Sequence, residues 1–370
     1  MKQIAIFTAF RGLYNYGQIL QAYALTHYLN LIGHNARLIE YKFDVDRACV
    51  ESERKTSIVN IIKFRIKKSF IYDPFYLRIK DRKKFLEFKK CHLKIDKKKF
   101  NTIYELRKDP PIYDVYMTGS DQIWGRHISR IEPFFLDFGP VGVRRIAYAP
   151  SFGRSHLSQD EIIRLTPLLG RYTAVGVREE SALQIMETLN YPSASWVPDP
   201  TILLTKEEWS AIQSSNSPFI TNRTKIFVYI IGHDRDERIM SYAKSFGDAE
   251  LIVCADNLTN EYQNSNLTIP EWISAMSHCD LVITNSFHGT MFSLIFNKEF
   301  YIFERIGKNS QMNVRIESIL SIVELKNRIV HEADSIESII RSDVDWGKAN
   351  TLFALWRNVG IDFLKQHLQS

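Results

Sequence analysis

"IAIFTAFRGLYNYGQILQAYALTHYLNLIGHNARLIEY", residues 4–41, decides the fold. Ile4 to Thr8 is a short apolar run rich in strand formers, and "RGLYNYG" after it is a glycine-containing turn. From Gln18 the apolar residues Leu20, Ala24, Tyr28 and Leu31 recur at helical spacing. Gly33 stands where the residue just past a helix is so often glycine. Ala36 to Tyr41 is a second apolar run. Strand, loop, helix, strand is the opening of a parallel α/β sheet. The turn is not G-x-G-x-x-G, which argues against a dinucleotide cofactor.

The same alternation continues outward. "YDVYMTGSDQIW" is a strand running into a polar turn, "RRIAYAPSFG" a strand ending at glycine, "TAVGVREESALQIMETLN" a strand and a helix. "SWVPDPTILL" ends at a Pro-Asp-Pro break, residues 198–200, and the polar stretch "QSSNSPFITNRT" precedes a second series. That series predicts strands at Ile226–Ile231, Leu251–Cys254, Leu281–Thr284 and Phe300–Phe303, and helices over 235–246, 271–278 and 290–297. The sequence therefore predicts two Rossmann-like α/β domains, 1–200 and 201–342, facing each other across a cleft. A C-terminal helix in 343–370 is expected to pack back on the first domain. Ligands of such sheets bind outside the carboxyl ends of the strands, where each of these turns falls.

A chain of 370 residues exceeds the size at which one core usually stops growing. With 45% hydrophobic and 12% aromatic residues it is an ordinary globular composition. The four cysteines show no CxxC spacing, so neither a disulfide framework nor a zinc site is expected. The N-terminal run is too short for a secretory signal, and no stretch of about 18 apolar residues occurs. The expectation is a cytoplasmic protein without a bound metal. The net charge of +6 is concentrated: residues 61–100 hold 15 Lys or Arg against 4 Asp or Glu. This segment reads as a basic helical insertion, about 50–107, either a solvated face or a surface for anionic lipid headgroups. No nucleic-acid-binding motif accompanies it, and no nucleic-acid partner is expected.

Several turns offer chemistry, each beside a plainer role. Asn15 and Gly17 precede a helix whose N-terminal N–H groups favour an anion, or they simply cap it. Ser120, Asp121 and Gln122 end a strand where a carboxylate can take a proton from a hydroxyl; equally, Asp121 caps the next helix. Trp124 can stack on a pyranose or fill core. The planar fork of Arg178 suits a carboxylate or phosphate, or pairs with Glu179 or Glu180. In "SFHGTMF", residues 286–292, His288 stands at a strand-to-helix turn. Gly289 there keeps the approach open, and the helix N-terminus at Thr290 supplies donors. Lys308 and Arg315 come after the next strand as further cations for an anion.

In chain order, "NYGQILQAYAL", "YDVYMTGSDQIW", "YAPSFG", "VREESA", "VPDP" and "SFHGT" resemble the polysaccharide pyruvyl transferase family, over residues 1 to about 320. The resemblance implies a fold similar to glycosyltransferase-B enzymes and transfer of pyruvate from phosphoenolpyruvate to a sugar as a ketal, with no cofactor. It further implies a glycan acceptor, carried on a polyprenyl diphosphate at the inner membrane face. The positions matching the family's donor-binding residues are Arg178 and His288, joined by Gly289, Thr290, Lys308 and Arg315. His288 and Asp121 are the candidate catalytic pair. Asn15, Gly17, Gln21, Ser120, Gln122 and Trp124 are the candidate acceptor contacts. Some relatives carry an arginine just before the histidine, whereas this chain has Asn285, Ser286 and Phe287. A nucleotide-sugar glycosyltransferase and a non-catalytic glycan-binding protein remain alternative readings of the same fold.

Overall fold

A computed structural model of the chain describes residues 1–10, 15–41, 79–125, 131–232, 236–255, 267–335, 339 and 343–369. The opening stretch forms strand β1 (Gln3–Phe7), helix α1 (Tyr16–Leu31) and strand β2 (Asn35–Tyr41), with β1 and β2 paired in parallel. Gly33, at φ +91°, takes the left-handed conformation that ends α1 and that a side chain would resist. Next come α2 (Ile79–His92), β3 (Ile95–Phe100), α3 (Ile103–Lys108), β4 (Val115–Thr118) and β5 (Arg144–Tyr148). α4 (Gln159–Leu169), β6 (Ala174–Val177), α5 (Ser181–Thr188) and β7 (Ser195–Trp196) complete the first sheet. Its order is β3-β2-β1-β4-β5-β6-β7, and every pairing is parallel. Burial on both faces explains why β1, β4 and β6 read as unbroken apolar runs.

The basic segment is only partly helical. Residues 42–78 lie outside the described residues, α2 comes next, and 95–100 is a strand. Ile95 and Phe100 register with Leu38 and Tyr41, so the apolar ends of "IDKKKF" draw it onto the sheet edge. The lysines between them suit an edge that must not pair further. Two are locally matched, Lys98 to Asp109 at 2.6 Å and Lys99 to Glu40 at 2.8 Å.

The second series gives α6 (Lys206–Ser210), β8 (Lys225–Ile230), α7 (Asp236–Lys244), β9 (Glu250–Ala255) and α8 (Ile269–His278). It continues through β10 (Leu281–Thr284), α9 (Phe287–Phe296), β11 (Glu299–Phe303), α10 (Asn313–Ile322) and β12 (Ile329–Val330), and α11 (Trp346–Gln369) closes the chain. The second sheet, β12-β11-β10-β8-β9, is again parallel. Both sheets are therefore Rossmann-like. In each, successive crossovers reverse direction once, between β1 and β4 and between β8 and β10, and such switch points leave a crevice at the carboxyl ends.

The chain divides into two compact units. One comprises Met1–Leu13, Gln18–Pro200 and Phe363–Ser370, the other Tyr14–Gly17 and Thr201–Asp362. In the first, the end of α11 is part of the core: Phe363 packs on Tyr148 with ring centroids 6.1 Å apart, and Arg144 Nη1 donates to the His367 carbonyl at 3.0 Å. In the second, Tyr242, Tyr301 and Phe303 pack together under the sheet.

Candidate functional site

The switch point of the first sheet gathers a buried polar cluster. β4 ends at Thr118, and the next residue is Gly119 because a Cβ there would lie 2.8 Å from Thr8 Cβ. Thr8 Oγ1 donates to the Ser120 carbonyl at 2.6 Å. Gln21, fully buried on α1, spends its amide on Thr8 Oγ1, the Ala9 carbonyl and the Gln18 carbonyl. Its work is to lock the end of β1 to the helix, which removes it as an acceptor contact. Asp121 next adopts φ +78°, a left-handed conformation uncommon outside glycine but least costly for Asp and Asn. Its carbonyl accepts from Ile123 N at 2.7 Å and Ser151 N at 2.9 Å, which sustains the strained turn and leaves its side chain half-buried.

Arg178, at the end of β6, is buried, and its ion pair is with Asp199, beyond the two glutamates that follow it in sequence. Nη1 lies 2.9 Å from Asp199 Oδ2, with the two side chains 1% and 0% exposed. Ser120 Oγ sits between them, 3.3 Å from Nη1 and 3.2 Å from Asp199 Oδ2, and donates to the Ala149 carbonyl at 2.8 Å. Trp196 Nε1 donates to the Arg178 carbonyl at 3.0 Å. Burial pulls the guanidinium pKa down, but the carboxylates of Asp199, Glu179 and Asp121 outweigh it and raise the value above normal. Glu179 is itself buried and bonded to the Ser151 hydroxyl. One cation is thus ringed by three carboxylates, a site suited to binding hydroxyls and taking a proton from one. Asp199 is the residue the sequence reading misses. In "VPDP" it reads as part of a break, and only its isolation between two prolines at a strand end marks it.

Trp124 is core. It is fully buried, stacks on Phe135 with centroids 4.5 Å apart, and donates through Nε1 to the Phe134 carbonyl at 3.1 Å. It offers no face to a sugar, because the turn at 131–136 covers it. Gln122 is half-buried against Gly153, where a Cβ would come within 2.4 Å of its Nε2. Asn15 is exposed ahead of α1.

The second switch point holds the histidine. Asn285 ties the ends of β10 and β8 together, accepting from Ile231 N at 2.8 Å and donating to the Ile231 carbonyl at 3.0 Å. Ser286 is the N-cap of α9, accepting from Gly289 N at 3.3 Å. The helix therefore starts at Phe287, three residues earlier than its sequence periodicity predicts, and His288 lies inside its first turn. Gly289 does not clear a ligand path. A Cβ there would lie 2.5 Å from Thr284 Oγ1, so the missing side chain lets α9 pack on β10. Thr290 is fully buried with its hydroxyl donating to the Ser286 carbonyl at 3.1 Å. His288 itself is 7% exposed and faces Gly17 of α1.

Past β11, Arg305 is a buried cation that the sequence reading does not name. Asn313 clamps its backbone from both sides, at 3.0 Å and 2.9 Å. Arg315 stands over the Phe287 ring at 5.6 Å, which brings it to the start of α9. The Lys308 side chain lies outside the described residues. Among the described residues no three His, Cys, Asp or Glu cluster as metal ligands, and no helix is long and apolar enough to cross a membrane.

Comparison with curated proteins finds no match. Among solved structures the chain is similar to S. aureus MnaA solved with UDP, at 10% identity over 100% of this chain and 97% of that one, TM-score 0.49. It is also similar to the UDP-GlcNAc 2-epimerase of Methanocaldococcus jannaschii in complex with UDP-GlcNAc and UDP, at 11% identity over 95% and 98%, TM-score 0.49. An alpha-glucosyltransferase in complex with UDP gives 11% identity over 99% and 96%, TM-score 0.45. The model of one family, polysaccharide pyruvyl transferase, matches residues 15–305, a span that includes the first turn of α1, the Arg178 cluster and the turn at His288. The chain belongs to the polysaccharide pyruvyl transferase family.

Proposed function

We propose that this transferase moves the pyruvyl group of phosphoenolpyruvate onto two hydroxyls of one sugar in a glycan, with no cofactor. The products are a ketal and phosphate. The observation that carries the reading is the family match over residues 15–305. The acceptor in this reading is the lipid-linked repeat unit of a surface polysaccharide, met at a membrane face that the basic residues 61–100 contact peripherally; 61–78 of these lie outside the described residues.

The chemistry assigns work to each unit. Protonation of the donor's methylene carbon leaves an oxocarbenium-like centre at C2. One sugar hydroxyl adds there, phosphate departs with its bridging oxygen, and the second hydroxyl closes the ketal. Two hydroxyl protons are released, one replacing that given to the methylene and one leaving with phosphate. His288 is the proton donor or the phosphate ligand, and Arg305, Arg315 and Lys308 supply positive charge to the same anion. Asp121 takes the acceptor proton. Its half-buried carboxylate, held at the switch point by a strained backbone, supports that role. Arg178, buried against Asp199, balances the carboxylates among which Asp121 acts.

The test is to incubate the full chain with phosphoenolpyruvate and lipid-linked glycan fractions, monitoring phosphate release and the pyruvyl mass increment on the glycan. His288→Ala and Asp121→Asn should each lower kcat by about 10²–10⁴-fold. No mass increment with any fraction, or UDP release from a sugar nucleotide in its place, overturns the proposal.

A further inference from the structure

Residues Tyr14–Gly17 cluster with the second unit, although the helix they open clusters with the first from Gln18 onward. Tyr16 is what anchors this turn. Its hydroxyl donates to the Leu267 carbonyl at 2.7 Å, its ring stacks on Trp272 at 5.5 Å and 21°, and Tyr229 meets it edge-on at 5.9 Å. The ring is 4% exposed. So held, the next residue, Gly17, is pressed against the imidazole of His288. A Cβ on Gly17 would lie 2.1 Å from Nδ1, 2.5 Å from Cε1 and 2.7 Å from Cγ. Gly17 is not among the positive-φ glycines, so no torsion demands it. Glycine in the first turn of a helix is otherwise a poor choice, and the requirement here is space. The Cγ–Nδ1–Cε1 edge of the ring is covered by the Gly17 backbone, and Nε2 is the nitrogen on the far side.

We propose that Gly17 is a positioning residue for His288. Carried on a turn that Tyr16 fastens to the second unit, it sets the rotation of the imidazole so that Nε2 is the atom offered to the donor's phosphate or methylene carbon. This moves Gly17 from the acceptor side, where its sequence context suggests a ligand contact, to the support of the donor histidine. The inference rests on His288 serving the donor as proposed above.

The experiment is a double-mutant cycle on the full chain: wild type, Gly17→Ala, His288→Ala and both together. One readout is phosphoenolpyruvate affinity by calorimetry, which needs no acceptor. The other is the ¹³Cε1 resonance of His288 in histidine-labelled protein, identified by its absence from His288→Ala. Gly17→Ala should weaken donor binding about tenfold or more when His288 is present, and less than about twofold when it is absent. It should also shift the His288 resonance without ligand. Equal losses in both backgrounds, or an unmoved resonance, overturn the proposal. Wild type that ignores phosphoenolpyruvate would sink the donor reading instead, and the resonance would still decide the contact. Should Gly17→Ala not fold, Tyr16→Phe keeps the ring stack and loses the bond to Leu267. It must then shift the same resonance, and failure to do so is fatal.

Discussion

Arg178 and Asp199 are buried together, with side chains 1% and 0% exposed, so their ion pair forms away from solvent. Asp199→Asn keeps the shape but removes the carboxylate paired with the guanidinium, and should cost up to about 3–5 kcal/mol. A fall of the urea midpoint at constant slope would record it; an unchanged midpoint would mean that Glu179 and Asp121 suffice. This pairing is not legible locally. Arg178 has two glutamates directly after it, whereas its partner lies 21 residues on, beyond β7. Trp124 shows the same gap between residue type and role. Next to a polar turn it suits either a sugar platform or core, and the aromatic run near 134 that buries it comes ten residues later. Trp124→Leu should cost roughly 2–3 kcal/mol in urea unfolding and leave the KM for acceptor unchanged. A raised KM with intact stability would restore the sugar-stacking role. Arg178, Asp121 and His288 are legible as candidates because each comes just after an apolar strand in a fold that binds at strand ends.

Elements are easiest to read where burial is two-sided and the ends are marked. β10 is read without error because four buried residues, three apolar and then Thr284, lie between Asp280 and Asn285. α9 is read three residues short, since all ten of its residues are buried and no polar face gives it a period. The edge strand β3 is hidden by its lysines, which suit the rim of a sheet as well as a solvated helix. β9 makes a further prediction. Its first residue, Glu250, accepts from Ile220 N at 2.9 Å and from Thr221 N at 2.8 Å, holding the segment that leads into β8. Burial pushes its pKa up, but the bonds from Thr221 and the backbone outweigh that and hold it below the ordinary value. The unfolded chain therefore takes up this proton first as pH falls. The stabilisation is complete above about pH 4.3 and is lost as pH drops through the lower folded value. Glu250→Gln should lower stability at pH 7 and flatten the decline of Tm between about pH 5 and 3. A variant with the same acid slope as wild type would show that Glu250 contributes nothing to it.

For the whole molecule, the two α/β units can be read from the alternation of strands and helices, but their membership cannot. Tyr14–Gly17 and Phe363–Ser370 each belong to the unit on the other side of the obvious break, because packing and not sequence order decides. Removing residues from Phe363 onward should expose Tyr148 and Gly176, strip the bond from Arg144, and lower the Tm of the first unit. Separate unfolding transitions by calorimetry would register this, and a loss confined to the second unit would contradict it. The split has a consequence in time. A ribosome finishes residue 200 and must then make the stretch Thr201–Asp362 before the first unit receives its last piece. At bacterial or eukaryotic elongation speeds that is a wait of roughly ten to thirty seconds. During it, the unit that begins first, its Tyr148 surface still uncovered, is completed last.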